Sequence, residues 1–180
     1  PVYSERDRPD FEKLVSLAVP FWIGGGMASP IGLARARSVG AYGIQVGSIF
    51  ALCDQSGLHP ALRQQVIRLW HRGELRVKQD PYASPTGYPF QVAQLPGTLS
   101  DEAVYQDRVR ICNHHGLSVP HQMPDGKIVY RCPAEPLGDF QRKGGDEADT
   151  THARCLCDCL IANTGYGDTD EPFMVTLGSD

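Results

Sequence analysis

The chain has 180 residues, 41% hydrophobic and 21% charged, enough for a packed domain with or without an appendage. Its 17 basic and 21 acidic residues leave a formal net charge of -4, which gives no electrostatic case for nucleic acid or an anionic membrane as a partner. No apolar run approaches the length of a membrane span, and the first residues lack the charged-then-apolar pattern of an export signal.

Residues 9–18 predict an amphipathic helix. Pro9 suits its first turn, and Phe11, Leu14, Val15 and Ala18 share a face. The run Pro20–Gly24 ("PFWIG") predicts a short strand buried on both faces. After a loop at 25–29, Pro30 opens a helix carrying Ile31, Leu33, Ala34 and Ala36 that ends near Gly40. A second strand follows at "GIQVGSIF", Gly43–Phe50, with Gly47-Ser48 turning into another helix. This helix–strand alternation predicts parallel βα units. A further helix is expected over Pro60–Arg72, marked by Leu62, Val66, Leu69 and Trp70.

After Gly73 the character of the chain changes. Residues 79–100, rich in Pro, Gly, Ser and Thr, predict an ordered but irregular loop. Asp125-Gly126 within "MPDGKIVYRC" signals a hairpin. Asp101-Glu102 and Asp146-Glu147 are expected to cap helices or face water. The last helix is expected over Thr150–Asn163, stopped by Gly165, and the last dozen residues read as a tail. The domain reading is 1–73 as βα units and 74–180 as a loop-rich extension. The start at Pro1, without an initiator Met, fits a processed end or a segment of a longer chain.

The six cysteines are Cys53, Cys112, Cys132, Cys155, Cys157 and Cys159. With no export signal, they are expected to be reduced thiols of a cytoplasmic protein. On a helix running through 150–163, Cys155 and Cys159 share a face and Cys157 points away. A Cys₄ zinc site of Cys112, Cys132, Cys155 and one other cysteine, with His114, His115 or His121 as spare ligands, is the rival to simple packing. Packing is the preferred reading, so no metal site is assigned. Cys53 is expected to pack under the second glycine turn, and His71 and His152 to lie on helix surfaces.

Two glycine clusters carry the chemistry. "WIGGGMASP" (Trp22–Pro30) and "IQVGSIF" (Ile44–Phe50) each follow a predicted strand and lead into a predicted helix. A phosphate needs converging backbone N–H donors with no Cβ in the way, and it gains from a helix N-terminus. Gly25, Gly26, Gly47 and Ser48 supply that pattern on consecutive strand ends. In (β/α)₈ barrels the loops after the last two strands often form such a site. Either cluster alone is ordinary turn chemistry; the pair favours phosphate.

The stretch "FWIGGGMASPIGLARARSVGAYGIQVGSIFALCDQSG" resembles the seventh and eighth βα units of nitronate monooxygenases, and the related FMN-dependent enoyl-ACP reductases share the pattern. Gly24-Gly25-Gly26-Met27 and Gly43-Ile44-Gln45-Val46-Gly47-Ser48 match the family frame; Ser48 stands where threonine is usual and keeps the hydroxyl. The resemblance implies an α/β chain forming the C-terminal part of a (β/α)₈ TIM barrel, its last two βα units, plus an irregular, partly helical extension. It implies FMN as cofactor, with the phosphate on the amides of Gly25, Gly26, Gly47 and Ser48. It also implies oxidation of a small nitronate-type substrate with O₂, or enoyl-thioester reduction in the sister branch.

The loop Ala83–Leu95 stands where many members carry a serine-glycine-arginine segment near the flavin. Ser84 and Gly87 fit loosely; the arginine is absent. Tyr82 and Tyr88 lie in or beside this loop. The family's catalytic histidine belongs to an earlier strand, so no residue here inherits that role and the catalytic residues are unassigned. The expected partner is the N-terminal barrel half, in the same polypeptide or a separate subunit. From a different class, residues 100–170 also fit a non-catalytic, Cys-rich, metal-stabilised interaction module.

Overall fold

The structure is a computed structural model, described here for residues 4–167 and 170–178. The chain divides into two units, Pro1–Phe50 and Ala51–Ser179. The sequence-based boundary at 73/74 falls inside the second.

In the first unit, helix α1 (Phe11–Ser16) is started by the Asp10 carboxylate, which accepts the Lys13 N–H at 3.0 Å. It is shorter than the expected 9–18 because Ala18 turns left-handed at φ 53°. Strand β1 (Trp22–Gly24) leads to helix α2 (Pro30–Ser38). The Ser29 hydroxyl caps α2 on the Gly32 N–H at 2.9 Å, and Pro30 takes the first turn, where its missing N–H costs nothing. Gly40, at φ 88°, closes it: its N–H reaches Arg37 O, and that of Ala41 reaches Ala36 O, both at 3.0 Å.

The chain then enters β2 (Gly43–Gln45), parallel to β1 with Ile23 opposite Ile44, and short helix α3 (Ser48–Ala51) follows. The expected βα alternation is therefore present. Double-sided burial of β1 is not: Trp22 and Gly24 are exposed. With a two-stranded sheet and only local helices, too little structure is present to cover both faces.

The second unit begins with helix α4 (Pro60–His71), Pro60 again in the first turn. Leu62 and Val66 on its inner face pack with Ala93, Leu95, Val175 and Leu177. Residues 79–100 are not one loop. Strand β3 (Val77–Asp80) pairs antiparallel with β4 (Phe90–Ala93), leaving only the Pro/Gly-rich 81–89 as the connection. Nor are the last residues a tail. Phe173–Leu177 runs antiparallel along β4, with Val175 O accepting from Ala93 N–H at 2.8 Å and Gln91 O from Leu177 N–H at 3.1 Å. Met174, Val175 and Leu177 are buried, and residues 169, 179 and 180 of that stretch lie outside the described residues.

Helix α5 (Glu102–Asp107) is capped by Asp101, as expected. The hairpin forms as β5 (Val119–Gln122) and β6 (Ile128–Arg131), with Gly126 at φ 84° in its turn. Helix α6 (Leu137–Arg142) precedes a short 3₁₀ turn, Glu147–Thr150, capped by Asp146. The single helix expected over 150–163 is instead α7 (Leu156–Ala162). His152 at φ 64° and Cys155 in an extended conformation interrupt the helix before it. The architecture is thus mixed α/β, with three two-stranded sheets and no closed barrel among the described residues.

Candidate functional site

The β1–β2 register decides where the glycines fall. Gly24 pairs with Gln45, so the turns that follow both strands leave the same end of the parallel pair, side by side. Gly25 and Gly26 adopt φ 77° and 64°, a left-handed conformation in which a Cβ is penalised. A Cβ built on Gly25 or Gly47 meets no heavy atom within 4 Å. Both turns therefore present bare backbone to open space, the surface an oxyanion needs if several amides are to approach it. Ser48 opens α3 directly behind the second turn, whereas α2 starts only at Pro30, after Met27–Ser29. The expected helix N-terminus is immediate for one turn and set back for the other.

Gly32 holds the first turn. A Cβ there would stand 2.4 Å from Met27 O, so α2 and the glycine loop meet backbone to backbone.

In the second unit, Ser84 is buried with its hydroxyl 2.9 Å from Thr86 Oγ1, and Gly87 turns at φ 71°. They line a cleft of about 310 Å³ together with Tyr82, Asp149 and Arg154. Arg154 was not singled out by sequence. It arrives from 67 positions beyond Gly87, is held by Asp80 at 2.9 Å and donates from Nε to Leu99 O at 3.1 Å. Tyr82 and Tyr88 are exposed; Tyr82 meets His152 at a tilt and Tyr88 meets Phe90 edge-on. His71 is exposed at the end of α4, as expected; His152 is exposed too, but in a loop.

The cysteines depart from expectation. Cys155 precedes α7 rather than lying in it, which brings its sulfur to 3.8 Å from that of Cys157. The opposed directions argued for an unbroken helix do not apply. Cys112 Sγ lies 3.3 Å from His115 Nδ1. Burial pushes the Cys112 thiol up to about 11, with the charges of Asp158, Cys132 and Cys157 adding to it and the His115 amide opposing. Burial also raises Cys132, and Cys157 is raised by its contact with Cys155 and by burial. Cys159 is fully buried in the core beside Glu171, 3.3 Å away. Cys53 flanks a 3₁₀ turn after α3, partly exposed. All six are free.

The chain is similar to a probable nitronate monooxygenase of Bacillus subtilis (strain 168). The two are 38% identical over 52 residues, which is 29% of this chain and 15% of the relative. The match thus spans only a small part of the relative's length, and it points to an oxidoreductase. No family model and no solved structure matches the chain. No helix among the described residues is long and apolar enough to cross a membrane.

Proposed function

We propose that the chain supplies the phosphate clamp of an FMN-dependent oxidoreductase of the nitronate monooxygenase type. The observation that carries this reading is the pair of bare glycine turns leaving the same end of a parallel strand pair. The partial similarity to a probable nitronate monooxygenase supports it independently. In this reading the amides of Gly25, Gly26, Gly47 and Ser48 donate to the phosphate oxygens. Gly25 and Gly26 reach their left-handed angles without strain, and Gly47 leaves room for the phosphate to lie against the main chain. FMN, when bound, supplies the redox chemistry, taking electrons from a small carbanion-type substrate such as a nitronate and passing them to O₂. The chain's own contribution is to fix the cofactor's phosphate end and so its orientation.

The same reading calls for further barrel strands, from the same polypeptide or a separate subunit, to carry the flavin ring's surroundings and the catalytic base. The exposure of Trp22, Ile31, Tyr42 and Phe50 in the first unit supports this, since apolar surface of that extent is normally covered.

The test is flavin retention. A Cβ at Gly47 meets no heavy atom within 4 Å, so Gly47→Leu should fold normally, and its side chain would occupy the phosphate position. Full-length protein carrying Gly47→Leu or Gly26→Leu should purify without FMN, while Gly47→Leu keeps the melting temperature of the flavin-stripped parent. If both variants hold stoichiometric FMN, the phosphate lies elsewhere.

A further inference from the structure

The segment between α5 and β5, residues 108–118, has no regular secondary structure. Leu117, near its end, packs on the buried cluster of Ala83, Val92, Leu99, Leu156, Cys159 and Met174; a second buried cluster, Cys132, Ala134 and Ala153 with Cys155 alongside, has only small side chains. Three small side chains bury little area, so this second cluster contributes little by apolar packing. What its segments do bring together is sulfur.

Cys112 comes from a tight turn, "CNHHG", in which His115 is left-handed at φ 50° and glycine follows. Cys132 directly follows β6 and opens a second tight turn, "CPAE", in which the Glu135 N–H reaches back to Cys132 O at 3.0 Å. Cys155 and Cys157 flank the first residue of α7. The Cys112 turn lies against the start of α7: a Cβ built on Gly116 would stand 3.5 Å from that of Cys157. Cys155 packs against the cluster that contains Cys132. The 3.8 Å between the Cys155 and Cys157 sulfurs matches the edge of a ZnS₄ tetrahedron, about 3.8 Å for Zn–S bonds of about 2.3 Å.

The oxygen donors nearby are already engaged. Cys112, His115 and Glu135 form one group with donor atoms within 4.8 Å of one another, and Cys155, Cys157 and Asp158 form another. Glu135 is buried, with Lys143 Nζ 2.6 Å away and the Cys132 N–H donating to it. Asp158 is buried, paired with His114 and accepting the Asn113 N–H at 3.1 Å. The two carboxylates brace the turns, and His115 stands exposed at the rim. That leaves the four sulfurs as the ligand set, a soft donor set that selects zinc over hard cations.

We propose that Cys112, Cys132, Cys155 and Cys157 form a structural zinc site that pins the 108–118 segment to the end of β6 and the start of α7. With four protein ligands the site is closed, so the metal holds the fold and leaves no position for substrate. The inference is independent of the flavin reading.

Full-length protein purified without chelator should contain stoichiometric zinc. Cys112→Ser, Cys132→Ser and Cys157→Ser should lose it, and Cys53→Ser, away from the cluster, should keep it. Should the variants fail to fold, X-ray absorption at the zinc edge of the parent protein decides: four sulfurs at about 2.3 Å are expected. The Co²⁺-exchanged protein should show the sulfur-to-cobalt charge-transfer bands of tetrahedral thiolate. Absence of zinc together with no charge-transfer band on Co²⁺ addition would overturn the proposal. So would full zinc retention by Cys132→Ser, or a shell of fewer than four sulfurs.

Discussion

Gly32 shows how a single atom shapes the glycine turn. Helix propensity alone favours alanine at this first-turn position by up to about 1 kcal/mol. The added methyl, however, would stand 2.4 Å from the Met27 carbonyl oxygen, and the obstacle is backbone, which cannot swing aside. Overpacking of this kind costs about 1–3 kcal/mol. Gly32→Ala should therefore destabilise the first unit, read by urea unfolding through Trp22 fluorescence in a Trp70→Phe background. A more stable variant would show that the loop is not held by this contact. At this scale the sequence displayed the glycines of both turns but not the closeness of Cys155 and Cys157. That closeness depends on the left-handed His152 and the extended Cys155, neither of which residue type announces.

At the scale of elements, legibility followed sequence distance. Helices α2 and α4 were readable because Pro30 and Pro60 mark their first turns, and the β5–β6 hairpin because Asp125-Gly126 fits its turn. Strand β3, "VKQD", has no apolar alternation and exists only through its pairing with Phe90–Ala93. The segment 173–177 is held by the same β4 from some eighty positions away, a pairing no local window contains. Its weight is measurable. Met174 is fully buried, so Met174→Ala should cost about 2–5 kcal/mol. Tyr166→Ala, at 87% exposure, should stay within about 0.5 kcal/mol of the parent. Equal effects in chemical denaturation would mean that the final segment is not part of the core.

For the whole molecule, the first unit is a parallel strand pair with exposed aromatic and aliphatic side chains, and the matched segment is 15% of the relative's length. A (β/α)₈ barrel takes about 250 residues. Residues 1–180 expressed alone should give an insoluble or flavin-free product, whereas co-expression with the complementary barrel strands should give a yellow one. A soluble 180-residue monomer that binds FMN stoichiometrically would remove the need for a partner half. The central claim, that Gly25, Gly26, Gly47 and Ser48 hold a phosphate, is tested most directly by titrating flavin-stripped full-length protein with FMN and with riboflavin, which lacks the phosphate. Charge-assisted hydrogen bonds contribute about 1.5–3 kcal/mol each, so FMN should bind at least about tenfold more tightly. Gly47→Leu should weaken FMN binding to the riboflavin level and leave riboflavin binding unchanged. Equal affinities for the two flavins, or an equal loss of both in Gly47→Leu, would contradict the account.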